Sequence, residues 1–145
     1  MSRTYLLDTS TASYIIMDRC PHARRKFLRA VVENEVCISA MTEAELRYGL
    51  AKRQVSVEMQ TAVEEFLAKI EVLPWESAAA RAYARARATL ERLGKPLANM
   101  DLLIAAHAAA LGAVLVTNDH TLAECSKHID VRQTVNWADD VGAKS

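Results

Sequence analysis

Short runs of β-forming apolar residues alternate with Ala-, Leu-, Glu- and Arg-rich stretches along the chain, and this alternation constrains the fold most. Residues 4–7 (TYLL), 36–39 (VCIS), 70–73 (IEVL) and 113–117 (AVLVT) read as strands. Each is a continuous apolar run, as expected for a strand covered on both faces. Between them the period turns helical. Ser56 precedes VEMQTAVEEFLAKI, in which Met59, Val63, Phe66, Leu67 and Ile70 fall on one stripe. A second helix is expected over residues 76–93, stopped by Gly94 and Pro96. Strand–helix alternation predicts an α/β fold of three layers, α/β/α, with a central, mainly parallel sheet. At 145 residues, 51% of them apolar, the chain suits one domain. The sequence assigns residues 1–133 to that domain and residues 134–145 to a polar extension that frays.

Lys and Arg total 18 and Asp and Glu total 18, so the formal charge is zero. This excludes a uniformly basic nucleic-acid coat and an acidic tail, while leaving room for a locally basic groove. No apolar run approaches the ~20 residues that span a bilayer, and the first residues show no signal-peptide pattern. Three cysteines, Cys20, Cys37 and Cys125, are an odd number without CxxC spacing. A disulfide framework or a zinc site is not expected, and a reducing cytoplasm is the natural setting.

In a parallel sheet, ligands sit outside the carboxyl ends of the strands where strand order reverses. Four acids fall at such places. Asp8 follows the first strand, Glu45 lies just after the second, Asp101 opens DLLIAAHAAAL, and Asp119 follows the last. Each alone has a structural explanation, since carboxylates suit helix N-termini, and Thr42-x-x-Glu45 reads as a capping box. Together they are harder to dismiss. Leu102 to Leu111 carries no charge, so its helix should be central and buried, and Asp101 at its mouth risks desolvation. Two carboxylates at ~4 Å cost roughly 4 kcal/mol at an effective dielectric of ~20. Protonation or a bound cation relieves that repulsion. Oxygen donors without His or Cys favour Mg²⁺ or Mn²⁺ over zinc. Metal-dependent phosphodiester hydrolysis is the chemistry these residue types suit.

The motifs LLDTS with Asp8, AMTEAELRYG with Glu45, NMDLLIAAHA with Asp101 and LVTNDHTL with Asp119 resemble those of PIN-domain ribonucleases, most closely VapC-type toxins of type II toxin–antitoxin modules. The resemblance runs in order from about Arg3 to Val131. It implies a PIN-like fold, with Mg²⁺ or Mn²⁺ held by Asp8, Glu45, Asp101 and Asp119. Thr117 matches a supporting hydroxyl before the last acid, and Ser10 stands where the family has Asn or Ser. The resemblance further implies cleavage of structured RNA, often tRNA; the mechanism expected of the acids is in-line attack by a metal-activated water, which leaves a 5′ phosphate. The resemblance also implies homodimerisation, higher assembly with a cognate antitoxin, and inhibition by that partner.

Other residues carry less. His107 lies about 120° around its helix from Asp101 and reads as a packing histidine. Glu43 should face away from Glu45, and His120 suits a solvated loop or a phosphate. Met17, Met41, Met59 and Met100 read as core gap-fillers. Trp75 and Trp137 suit semi-exposed anchors or base-stacking platforms. Two basic clusters, Arg19/Arg24/Arg25/Lys26/Arg29 and Arg81/Arg85/Arg87/Arg92/Lys95, suit a solvated face or an RNA backbone track. Two other functions compete. A receiver-like signalling module needs adjacent acids after its first strand and a Lys after its last, and neither is present. A catalytically silent PIN-fold adaptor has no use for four repelling acids.

Overall fold

A computed structural model describes residues 3–52 and 54–139. The described chain runs β1 (Thr4–Leu7), α1 (Thr9–Ile16), α2 (Pro21–Glu33), β2 (Glu35–Ser39), α3 (Ala40–Ala51), α4 (Val57–Lys69), β3 (Glu71–Leu73), α5 (Ser77–Arg92), α6 (Asn99–Leu111), β4 (Val114–Val116), α7 (His120–Ser126) and β5 (Gln133–Val135). The sheet order is β3-β2-β1-β4-β5. Every neighbouring pair is parallel. The chain lays β2 and β3 outward from one edge of β1, then returns to the other edge for β4 and β5. Strand order therefore reverses between β1 and β4, and the crevice of such a sheet opens there.

Alternating strand residues feed two cores, as the period of two requires. Leu7, Val36, Ile38 and Val116 pack with Ala12 and Ile15 of α1, Phe27 of α2 and Phe66 of α4. The Phe27 and Phe66 rings stack with centroids 5.4 Å apart. On the opposite face Leu6, Cys37 and Leu115 meet Ile104, Ala105 and Ala108 of α6 and Leu122 of α7. α5 lies outside α6, joined through Ala86, Leu90 and Leu102. This is the expected α/β/α arrangement. α6 is buried through Leu102 and Ile104 to Ala108, which explains its almost wholly apolar sequence.

All four expected strands form, with bounds within one residue of the sequence reading. The fifth is a difference. β5 pairs with β4 through Val114↔Gln133, Leu115↔Thr134 and Val116↔Val135. As an edge strand it has a half-exposed, mixed sequence with no apolar run to announce it. Beyond it Trp137 is buried, its ring 5.5 Å from that of Tyr5. The sheet and its packing thus run past residue 133, into the segment read as a fraying extension. Residues 140–145 of that segment lie outside the described residues. α2, legible beforehand only as a basic cluster, buries Ala23, Phe27 and Ala30 on one side and starts on Pro21. Among the described residues no helix is long and apolar enough to cross a membrane.

Candidate active site

β1 carries Asp8 to the carboxyl edge of the sheet, where its backbone N–H donates to the Val116 carbonyl at 3.0 Å. That bond fixes Asp8 beside the end of β4. The residue is only 2% exposed. Its carboxylate caps α1 by accepting from the Thr11 N–H at 2.9 Å. The Thr117 hydroxyl donates to its other oxygen at 2.5 Å. The Ser10 hydroxyl stands 3.1 and 3.2 Å from the two oxygens, and 2.6 Å from Asn118 Oδ1.

β4 ends at Val116, and the next three residues turn back over the crevice. Thr117 is pinned from the far side, its N–H donating to the Val135 carbonyl of β5 at 2.9 Å. Its hydroxyl oxygen accepts from the Asp119 N–H at 3.0 Å. Asp119 in turn caps α7 by accepting from the Leu122 N–H at 3.0 Å. One threonine therefore joins two of the acids, and the Ser10 hydroxyl sits between Asp8 and Asn118 with one proton to donate.

Glu45 reaches the crevice from α3. This helix starts earlier than the capping-box reading placed it. Ser39 is its N-cap, accepting from the Met41 N–H at 3.0 Å. Thr42 is fully buried inside the first turn, so no capping box forms between Thr42 and Glu45. Glu45 Oε1 instead accepts the Thr9 hydroxyl at 2.5 Å. Glu43 turns away, as expected, and pairs with Arg47 at 2.8 Å.

Asp101 stands in the first turn of α6, which begins at Asn99, two residues before the sequence reading placed it. Among the described residues its side chain has no hydrogen-bond or ion-pair partner. Burial, then the charges of Asp119, Asp8 and Glu45, push its pKa up to about 6. The other three carboxylates are therefore its electrostatic neighbours, and the four sequence-predicted acids do share one crevice. They do not close tightly. Among the described residues no three acidic, His or Cys side chains form a ready ion cage. The reason is visible in the hydrogen bonds, because Asp8 and Asp119 turn oxygens onto helix N-termini. The donor set, all carboxylate and hydroxyl oxygen, fits a hard divalent ion by its chemistry.

The remaining predicted residues divide. His107 is buried, and burial lowers its pKa. Trp75 is an anchor, its indole N–H donating to the Leu103 carbonyl at 2.9 Å, and Trp137 packs on Tyr5. His120 is exposed at the start of α7. Met41, Met59 and Met100 pack against the cores, but Met17 does not, being 41% exposed. It lines instead an apolar groove with Ile16, Leu46, Leu50 and Met59, which opens beside Thr9 and Glu45 and has Arg19 on its rim. In the second basic cluster Arg85 lies 3.7 Å from Asp130 and Arg87 3.0 Å from Glu91. Sequence reasoning overlooked Thr9 and Asn118. Their only signal was adjacency, since each neighbours a residue already singled out.

A doubly wound parallel sheet with four carboxylates at its switch point defines a class, the nucleases of the PIN fold. The PIN domain family matches residues 5–127. The tRNA(fMet)-specific endonuclease VapC of Shigella flexneri is 34% identical over 115 residues, covering 79% of this chain and 86% of that protein. Ribonuclease VapC2 of Haemophilus influenzae is 32% identical over 133 residues, covering 92% and 97%. The crystal structure of Rickettsia felis VapBC2 bound to a promoter DNA fragment superposes with a TM-score of 0.83 at 30% identity, covering 92% of this chain and 98% of that one. DNA-bound VapBC of Salmonella typhimurium gives 0.81 at 32% identity, covering 94% and 99%. The chain belongs to the PIN-domain family, among its VapC ribonuclease toxins.

Proposed function

We propose that this protein is a Mg²⁺- or Mn²⁺-dependent endoribonuclease that cuts structured RNA, tRNA foremost, in the cytoplasm. The observation that carries the reading is Asp101, a carboxylate without a partner among the described residues, which burial first and then three neighbouring acids make costly to ionise. Such a cluster gains most from a cation. Asp8, Asp101 and Asp119 would hold the ion directly or through its waters, with Glu45 completing the shell or orienting the attacking water. A hard ion that keeps several waters suits acids that stand around a space without closing on it. When bound, the ion supplies an activated water and charge stabilisation at the phosphate. The protein's own part is placement. Thr117 fixes Asp8 and the Asp119 backbone together, and Ser10 places its hydroxyl between Asp8 and Asn118, with its one proton for either.

A cognate antitoxin is the proposed partner, with the toxin a homodimer inside the larger assembly. The VapBC neighbours support the antitoxin partner. So does the apolar groove beside Glu45, a surface that a partner segment would cover while an Arg of that partner pairs with the acids.

Thermal unfolding of wild type and Asp101→Asn, each in EDTA and in Mn²⁺, tests the site before any substrate is known. Mn²⁺ at a hundredfold excess over its dissociation constant should stabilise wild type by about 2.7 kcal/mol, and Asp101→Asn should lose most of that response. Cleavage of tRNA should then leave 5′-phosphate ends. Products bearing only 2′,3′-cyclic phosphates would sink the water-attack mechanism.

A further inference from the structure

Glu45 is the only one of the four acids that arrives from the middle of a helix. Asp8 and Asp119 are anchored by capping their own helices. A glutamate with three rotatable bonds has no such anchor, and left alone beside three other carboxylates it would swing outward. The structure shows what stops it. The Thr9 hydroxyl donates to Glu45 Oε1 at 2.5 Å and lies 3.3 Å from the Thr42 hydroxyl. One hydroxyl carries one proton, so with Thr9 donating to the carboxylate, Thr42 is the donor of the second contact. Thr42 is fully buried, out of reach of competing water. Its proton sets the Thr9 oxygen, and the Thr9 proton then points at Glu45.

We infer that Thr9 and Thr42 form a two-hydroxyl relay between α1 and α3 that positions Glu45 in the acid crevice, making Thr9 a positioning residue for metal binding. The inference rests on the metal-dependent reading above. The relay lies on the side of Asp8 away from Thr117, so α1 serves both acids from adjacent residues. Asp8 caps the helix, and Thr9, its first residue, holds Glu45. Both relay members are β-branched, so each hydroxyl is held by a stiff first side-chain torsion. The arrangement holds Glu45 in place against the repulsion before any ion arrives.

The test is Mn²⁺ affinity, measured by isothermal titration calorimetry on the full chain, with thermal unfolding in EDTA as the control for folding. Thr9→Val keeps the shape and removes the proton. It should bind Mn²⁺ about tenfold more weakly, the factor expected when a glutamate must be ordered by the ion alone. Thr9→Ser should return to within about threefold of wild type, because the proton is restored with a looser torsion. Thr42→Val should fall between them. Should Thr9→Val melt too early, Thr9→Ala read in the cold makes the same comparison. A wild type that binds and a Thr9→Val that binds equally well would overturn the relay. So would a Thr9→Ser variant as weak as Thr9→Val. A wild type that takes up no Mn²⁺ overturns the metal site itself, a result distinct from either.

Discussion

At the scale of single residues, Asp101 and His107 share one helix and pull stability in opposite directions with pH. Asp101 is raised to about 6, by burial first and then by Asp119, Asp8 and Glu45. The folded state therefore holds its proton longer than the unfolded chain, and in EDTA stability should fall as pH rises from about 4 to about 6. Asp101→Asn should remove that slope and leave the protein more stable above pH 6, by about 1–2 kcal/mol after discounting for solvent screening. Urea titrations of both proteins at pH 4.5 and 7.5 would show it. For His107 the sign reverses. Burial lowers its pKa, so the unfolded chain takes the proton first, and stability is lost as pH falls below about 6.5. A His107→Gln variant should lose less stability between pH 7 and pH 5 than wild type does, measured in the same way.

Elements show which parts of the fold a sequence can announce. The central strands and α6 were legible because double burial leaves long apolar runs. Gly94, with φ +67°, ends α5 where the sequence placed the stop. The start of α3 lies at Ser39 and not Thr42, although both are good caps, because β2 runs straight into the helix at Ser39, a junction that no turn residue marks in the sequence. Asp8, Asp101 and Asp119 were legible because chain reversals are marked by strand ends and helix starts. Thr9 was not, since its role depends on α1 and α3 meeting in space. Gly112, the C-cap of α6, adopts φ +64° with nothing within 4 Å of an added Cβ. Gly112→Ala should therefore cost about 1 kcal/mol through backbone strain alone, and Gly112→Asn less, by denaturant unfolding.

Across the whole molecule, the edge strand that the sequence concealed proves tied to the site. The Val135 carbonyl of β5 receives the Thr117 N–H, and Thr117 holds Asp8 and Asp119. Trp137, buried against Tyr5, fastens that edge to β1. Trp137→Ala should cost about 3–5 kcal/mol by urea unfolding. At a temperature where it remains folded, its Mn²⁺ affinity should also drop, if slackening β5 loosens Thr117. A polar reading of residues 134–145 hid this, because one tryptophan does not outweigh a run of polar neighbours in any window average.

The central strand β1 finds its inner neighbour β4 only after more than a hundred intervening residues. During synthesis, Asp8 and Glu45 emerge long before Asp101 and Asp119 exist, and Thr117 and Val135 come later still. The acids can gather only when the chain is nearly finished. The order of translation thus keeps the crevice in pieces until the last strand is laid.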